Sequence, residues 1–184
     1  MRLDAQSSNN GRSRFVESDK LLENLGIQIT EKWSYTRPTA ETLVQCIKFF
    51  VESCGLRTEE LLEAVAKHPP LAGYSVENHI ESAGALGLTK EQYGQAVAKH
   101  PPLAGLSAEN HIESAGALGL TKEQYGQAVA KHPPLAGLSV ENHIESACAL
   151  GLTKEQYGQA VAKHPQLAGL SVENHIESAG ALGL

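Results

Sequence analysis

A block of 32 residues recurs almost letter for letter in this chain, and no other feature restricts its fold as much. The run Leu88 to Gly119 returns as Leu120 to Gly151, with Val140 for Ala108 and Cys148 for Gly116. It returns again as Leu152 to Gly183, with Gln166 for Pro134. An older copy, Leu56 to Gly87, keeps the stretch from Ala64 to Gly73 but opens with Arg57, Leu61 and Leu62. A fixed period in this range is the signature of a solenoid, in which each unit is too small to hold a core alone and buries its apolar face against its neighbours. The expected fold is therefore an all-α α-solenoid of helix–3₁₀–helix repeats, of either hand.

The unit carries its own start and stop signals. Thr89 followed by Gln92 makes a capping box, and Tyr93, Ala96, Val97 and His100 fall at helical spacing, which predicts a first helix over Lys90–His100. Pro101 and Pro102 stop it. Pro102 to Gly105 is long enough only for one 3₁₀ turn, which drops Leu103 into the core. Ser107 caps a second helix with Glu109 in its first turn, and Gly119 ends it. Leu88, Tyr93, Val97, Leu103, Leu106, Ile112 and Leu118 are the large apolar residues expected inside. Gly94, Ala115, Gly116 and Ala117 lie mid-helix, where glycine costs about 1 kcal/mol against alanine, so close helix approach is expected at these positions.

The organisation that follows has three parts. Residues 1–19 are polar and aperiodic, and are expected to be a disordered tail. Residues 20–55 form an N-terminal helical cap: Leu21 to Trp33 suggests a short helix and turn that covers the first unit. Pro38 to Gly55 reads as a degenerate half-repeat with Leu43, Ile47, Phe50 and Cys54 on one face. Residues 56–184 are the array, in units 56–87, 88–119, 120–151 and 152–183, with Leu184 opening a further unit. An array open at that end is expected to continue or to associate end to end.

Charge and cysteine content narrow the partners. Residues 1–55 hold seven acidic and seven basic side chains, whereas the array holds fourteen acidic and eight basic, so it carries the whole net charge of 8 − 14 = −6. Cys46, Cys54 and Cys148 form no C-x-x-C pair or even-numbered framework, which points to a reducing, intracellular setting. No apolar run reaches the ~18–20 residues of a membrane helix, so no membrane partner is expected.

The pattern Leu-Gly-Leu-Thr, a short helix, His-Pro-Pro-Leu, then Gly-Leu-Ser-Val-Glu-Asn and a second helix ending Leu-Gly resembles the repeat of the mitochondrial transcription termination factor (mTERF) family. The likeness covers residues 38–184 and is best from Phe49 to Asn78, with Ala72, Ala104, Ala136 and Ala168 standing where the family motif has a second leucine. It implies an mTERF-like superhelix that binds DNA or RNA and regulates transcription or organelle gene expression, in a mitochondrion or plastid.

On that reading the candidate nucleic-acid ligands are the recurring pairs Lys67-His68, Lys99-His100, Lys131-His132 and Lys163-His164, one row along an edge, flanked by Lys90, Lys122 and Lys154. Regularly placed cations suit phosphate contacts, which position a strand without reading its bases. A Lys-His pair in the last turn of a helix is also what the helix dipole favours. The units differ too little for a base-by-base code. The alternative partner is a protein, to which the repeated Glu109 and Glu113 would offer an acidic row. His79, His111, His143 and His175 are expected at the surface or half-buried, with no metal site because their spacing brings no nitrogens together. Protonation of all eight histidines would move the array from −6 to +2 near pH 6–6.5. No nucleophile with a base, paired carboxylates or phosphate loop stands in the sequence, so neither catalytic residues nor a cofactor are expected and the chain reads as a non-enzyme.

Overall fold

The computed structural model describes residues 16–26, 38–170 and 174. Its elements in order are α1 (Val16–Asn24), α2 (Ala40–Lys48), a π-helical turn (Phe49–Ser53), then repeated trios of helix one, 3₁₀ turn and helix two. These trios are α3 (Thr58–Lys67), Pro69–Gly73 and α4 (Val76–Ala85); α5 (Lys90–Lys99), Pro101–Gly105 and α6 (Ala108–Ala117); α7 (Lys122–Lys131), Pro133–Gly137 and α8 (Val140–Ala149). The last described are α9 (Lys154–Lys163) and the turn Pro165–Gly169. Among the described residues all regular structure is helical, as an α-solenoid requires.

Each boundary has a local cause. Thr89 Oγ1 accepts from the Gln92 amide at 3.2 Å while Gln92 Oε1 accepts from the Thr89 amide at 3.1 Å, and the same reciprocal pair recurs at Thr121 and Thr153. The older unit has no hydroxyl there; Glu60 instead accepts from the Arg57 amide at 3.0 Å and from its guanidinium at 2.9 Å. Helix one ends at Lys99, one residue earlier than its spacing suggests, because His100 turns to φ −140° and ψ 80° ahead of Pro101. Ser75, Ser107 and Ser139 cap the second helices, each accepting from the amide three residues on at 3.2 Å. Gly87, Gly119 and Gly151 close them at φ +60° to +64°.

The trios stack in three layers: helix one on helix one, 3₁₀ turn on 3₁₀ turn, and helix two on helix two. Tyr93, Val97, Leu103 and Leu118 are fully buried between layers, with Ala104 buried beside them. Ile112 is not among them: it is 61% exposed, against expectation. The buried stripe of α6 is His111, Ser114, Ala115 and Leu118, at steps of three, one and three, and that stripe turns Ile112 about 100° away from the core. Leu106 is half-buried.

Close approach explains only some of the small residues. A Cβ on Gly126 would overlap the Leu86 carbonyl oxygen, and one on Gly158 would overlap that of Leu118. On Gly94 it would stand 2.6 Å from Cys54 Cβ. Helix one thus rests on the residue 40 places earlier in each case, the end of a helix two for Gly126 and Gly158 and the end of the π-helical turn for Gly94. Gly84 and Gly116 differ: nothing stands within 4 Å of a Cβ there, and Gly116 is exposed.

The N-terminal cap is built differently from the simple helix expected. Cys54 donates its amide to Phe49 O at 3.0 Å, a five-residue step that widens the helix by one residue and turns both Phe49 and Phe50 inward. Leu43, Cys46 and Cys54 complete the buried face, and Ile47 is only partly covered. Helix α1 begins at Val16, ahead of the boundary at residue 20, with Glu17 and Asp19 in its first turn and Leu22 buried. The remainder of the polar tail, Trp33 and the far end of the last unit lie outside the described residues.

Candidate nucleic-acid interface

Lys67, Lys99, Lys131 and Lys163 each occupy the last position of helix one and are exposed. His68, His100, His132 and His164 cap those helices; the first three are half-buried and His164 is exposed. Because the first helices and the 3₁₀ turns stack in register, the pairs fall on one edge. The histidines sense one another: burial lowers the pKa of His68 and the charge of His100 lowers it further, and burial with His132 does the same to His100.

The row is not uniform. Lys67 Nζ donates to Glu63 at 2.8 Å, an ion pair one helical turn long that also holds the Glu63 carboxyl below its usual range. At the position of Glu63 the later units carry Gln95, Gln127 and Gln159. Lys99, Lys131 and Lys163 accordingly have no ion-pair partner among the described residues.

Lys90, Lys122 and Lys154 do not flank that edge. They open helix one and the Lys-His pairs close it, so a rise of about 1.5 Å per residue over nine residues separates the two rows by roughly 14 Å. Lys154 reaches the other way, with Nζ 3.5 Å from the Gly116 carbonyl oxygen at the end of α6. Lys122 lies 3.9 Å from the neighbouring Glu123.

The second histidines overturn the surface reading. His79, His111 and His143 are at most 1% exposed and face Tyr93, Tyr125 and Tyr157. His79 Nδ1 lies 3.1 Å from Tyr93 Oη, and Phe49 stacks on its ring at 5.5 Å between centroids. Neither ring nitrogen of His111 or His143 has a hydrogen-bond partner among the described residues. Burial lowers all three histidines to about 4. Burial also pushes the Tyr125 phenol up to about 12, with Ser114 beside it holding that rise back. Burial keeps these three histidines neutral at pH 6, so they take no part in a charge change near that pH and the change of all eight together is lost; His175 lies outside the described residues. His79, His111 and His143 share their stripe with a serine, an alanine and a leucine, a weaker apolar signal than the isoleucine next to each of them.

The exposed isoleucines Ile80, Ile112 and Ile144 are the surface feature that sequence reasoning missed. Beside Ile144 an open groove of about 770 Å³ runs between α6 and α8, floored by Leu106 and Leu138 and edged by Glu113 and Glu141. Burial raises the Cys46 and Cys54 thiols to about 12, so neither offers a thiolate near neutral pH. No group of three or more metal-ligating side chains stands together among the described residues. No helix among them is long and apolar enough to cross a membrane. Comparison with models of protein families and with curated proteins finds no match.

Proposed function

We infer that this chain is a non-catalytic helical-repeat binding protein that holds the backbone of a nucleic acid along its Lys-His edge. The observation that carries this reading is the alignment of Lys99, Lys131 and Lys163, exposed and without ion-pair partners, on the ends of stacked helices. Rungs set by helix packing stand about 8–10 Å apart, a spacing that a phosphate chain can follow. Identical rungs read no sequence, so the contact is one of backbone and shape. The likeness to the mTERF repeat extends the reading to a regulator of transcription or organelle gene expression with an mTERF-like superhelix.

The test is fluorescence anisotropy with labelled DNA and RNA homopolymers across a salt series. Changing Lys99, Lys131 and Lys163 together to glutamine is expected to weaken binding on every sequence and to reduce the salt slope by roughly 2–3. Lys67→Gln is expected to do less, because Glu63 already occupies that side chain. An unchanged slope in the triple variant, or no binding by the unaltered chain, would overturn the reading. The second reading, a scaffold for protein partners, is favoured by a different face, that of the isoleucines.

A further inference from the structure

We propose that the helix-two face is a docking surface for an extended, basic polypeptide segment carrying an apolar residue at every third position. The nucleic-acid reading plays no part in it, since the Lys-His edge and this face use different residues.

Three exposed isoleucines hold the same position in successive units, so exposed apolar side chains recur once per unit on helix two instead of falling singly at random, and such recurrence is what marks an interaction site. The core does not need them, because the opposite stripe of each helix two is buried. Helices α4 and α6 pack more closely than α6 and α8, and the groove of about 770 Å³ opens where the second pair parts. Val140 and Ile144 make one wall; Asn110 and Glu113 make the other.

Charge decides the kind of partner. Glu77, Glu81, Glu109, Glu113, Glu141 and Glu145 are all exposed on these helices. The one lysine lining the groove, Lys154, points at the carbonyl end of α6. Such a face repels a phosphate chain and attracts lysine or arginine, so a nucleic acid is excluded and a cationic polypeptide fits.

Spacing decides its conformation. Packed helices stand about 8–10 Å apart, which sets the step from one isoleucine to the next, the α6–α8 step being the wider of the two. A polyproline II segment advances about 3.1 Å per residue with three residues per turn, so its same-facing side chains recur about every 9.3 Å and keep step with the ladder. A β-strand repeats its face about every 6.6 Å and falls out of register after one rung. The two residues between apolar contacts are free to meet the glutamates that stand three before and one after each isoleucine.

The probe is a labelled synthetic peptide of repeated Leu-Pro-Lys triplets, titrated against the full chain and followed by anisotropy. Binding is expected to weaken as salt rises, to vanish with Leu-Pro-Glu triplets, and to fall when one residue is added to or removed from each triplet. Changing Ile80, Ile112 and Ile144 together to serine is expected to weaken the peptide by about tenfold or more while leaving helical content unchanged, because these side chains lie outside the core. The Lys99, Lys131 and Lys163 glutamine variant is expected to bind the peptide undiminished, which separates this surface from the Lys-His edge. The proposal is overturned if the triplet peptide does not bind, if the respaced peptides bind equally well, or if the serine variant binds as the unaltered chain does.

Discussion

Two mid-helix glycines, Gly126 in a helix one and Gly116 in a helix two, do opposite things, and each can be tested alone. Gly126 lies against the Leu86 carbonyl, backbone on backbone, so the methyl of Gly126→Ala can be admitted only by separating two layers of the stack. The helix-propensity gain of about 1 kcal/mol is expected to be outweighed by an overpacking cost of about 1–3 kcal/mol or more, giving a lower urea midpoint. Gly116 has open space around its missing Cβ, and Cys148 already carries a side chain at the corresponding exposed position. Gly116→Ala is therefore expected to raise stability by about 0.5–1 kcal/mol. Equal effects from the two substitutions would refute the assignment of close approach to the first position and not the second.

Helix ends follow side-chain chemistry that is local, and that is why they were legible. Thr121 and Gln124 satisfy one another's amides at 3.3 and 3.0 Å, so Thr121→Ala leaves the start of α7 uncapped and is expected to cost about 1 kcal/mol, read as a shift in urea midpoint at unchanged slope. The prolines after each first helix and the left-handed glycine after each second helix were equally readable, since each residue type has one strong backbone preference. The direction in which a helix faces was harder to read. In α6 the larger and more apolar Ile112 faces outward while His111 is buried, because the stacked neighbours approach from the side that carries Ser114 and Ala115. Hydrophobicity ranks side chains, but only the packing partner selects the stripe. The π-helical turn at Phe49–Ser53 was hidden for a related reason: its five-residue step comes from seating two phenylalanines beside His79, a tertiary demand with no local signal. The Lys-His edge was readable as a row from the period alone. The separation of Lys90, Lys122 and Lys154 from it depended on helix length and direction.

Across the whole molecule, the buried histidines make stability depend on pH. In the unfolded chain a histidine takes up a proton near pH 6.5, whereas His79, His111 and His143 do so in the fold only at about 4. Between those values the unfolded state binds more protons, so stability is complete above about pH 6.5, falls continuously as the pH drops towards 4, and changes no further below it on this account. Each group contributes up to about 3 kcal/mol of that loss, an amount comparable in sum with the 5–15 kcal/mol that holds a typical domain together. Because the units stack and each carries the same histidine, loss of one layer exposes the next. The urea midpoint is expected to fall steeply between about pH 7 and pH 5. His111→Leu supplies the control. It removes one titrating group at similar volume, and no hydrogen bond joins His111 to the Tyr125 hydroxyl opposite. The variant is expected to have a shallower pH profile that crosses that of the unaltered chain, becoming the more stable of the two at the acid end. Parallel profiles would show that His111 is not the group whose protonation opens the stack.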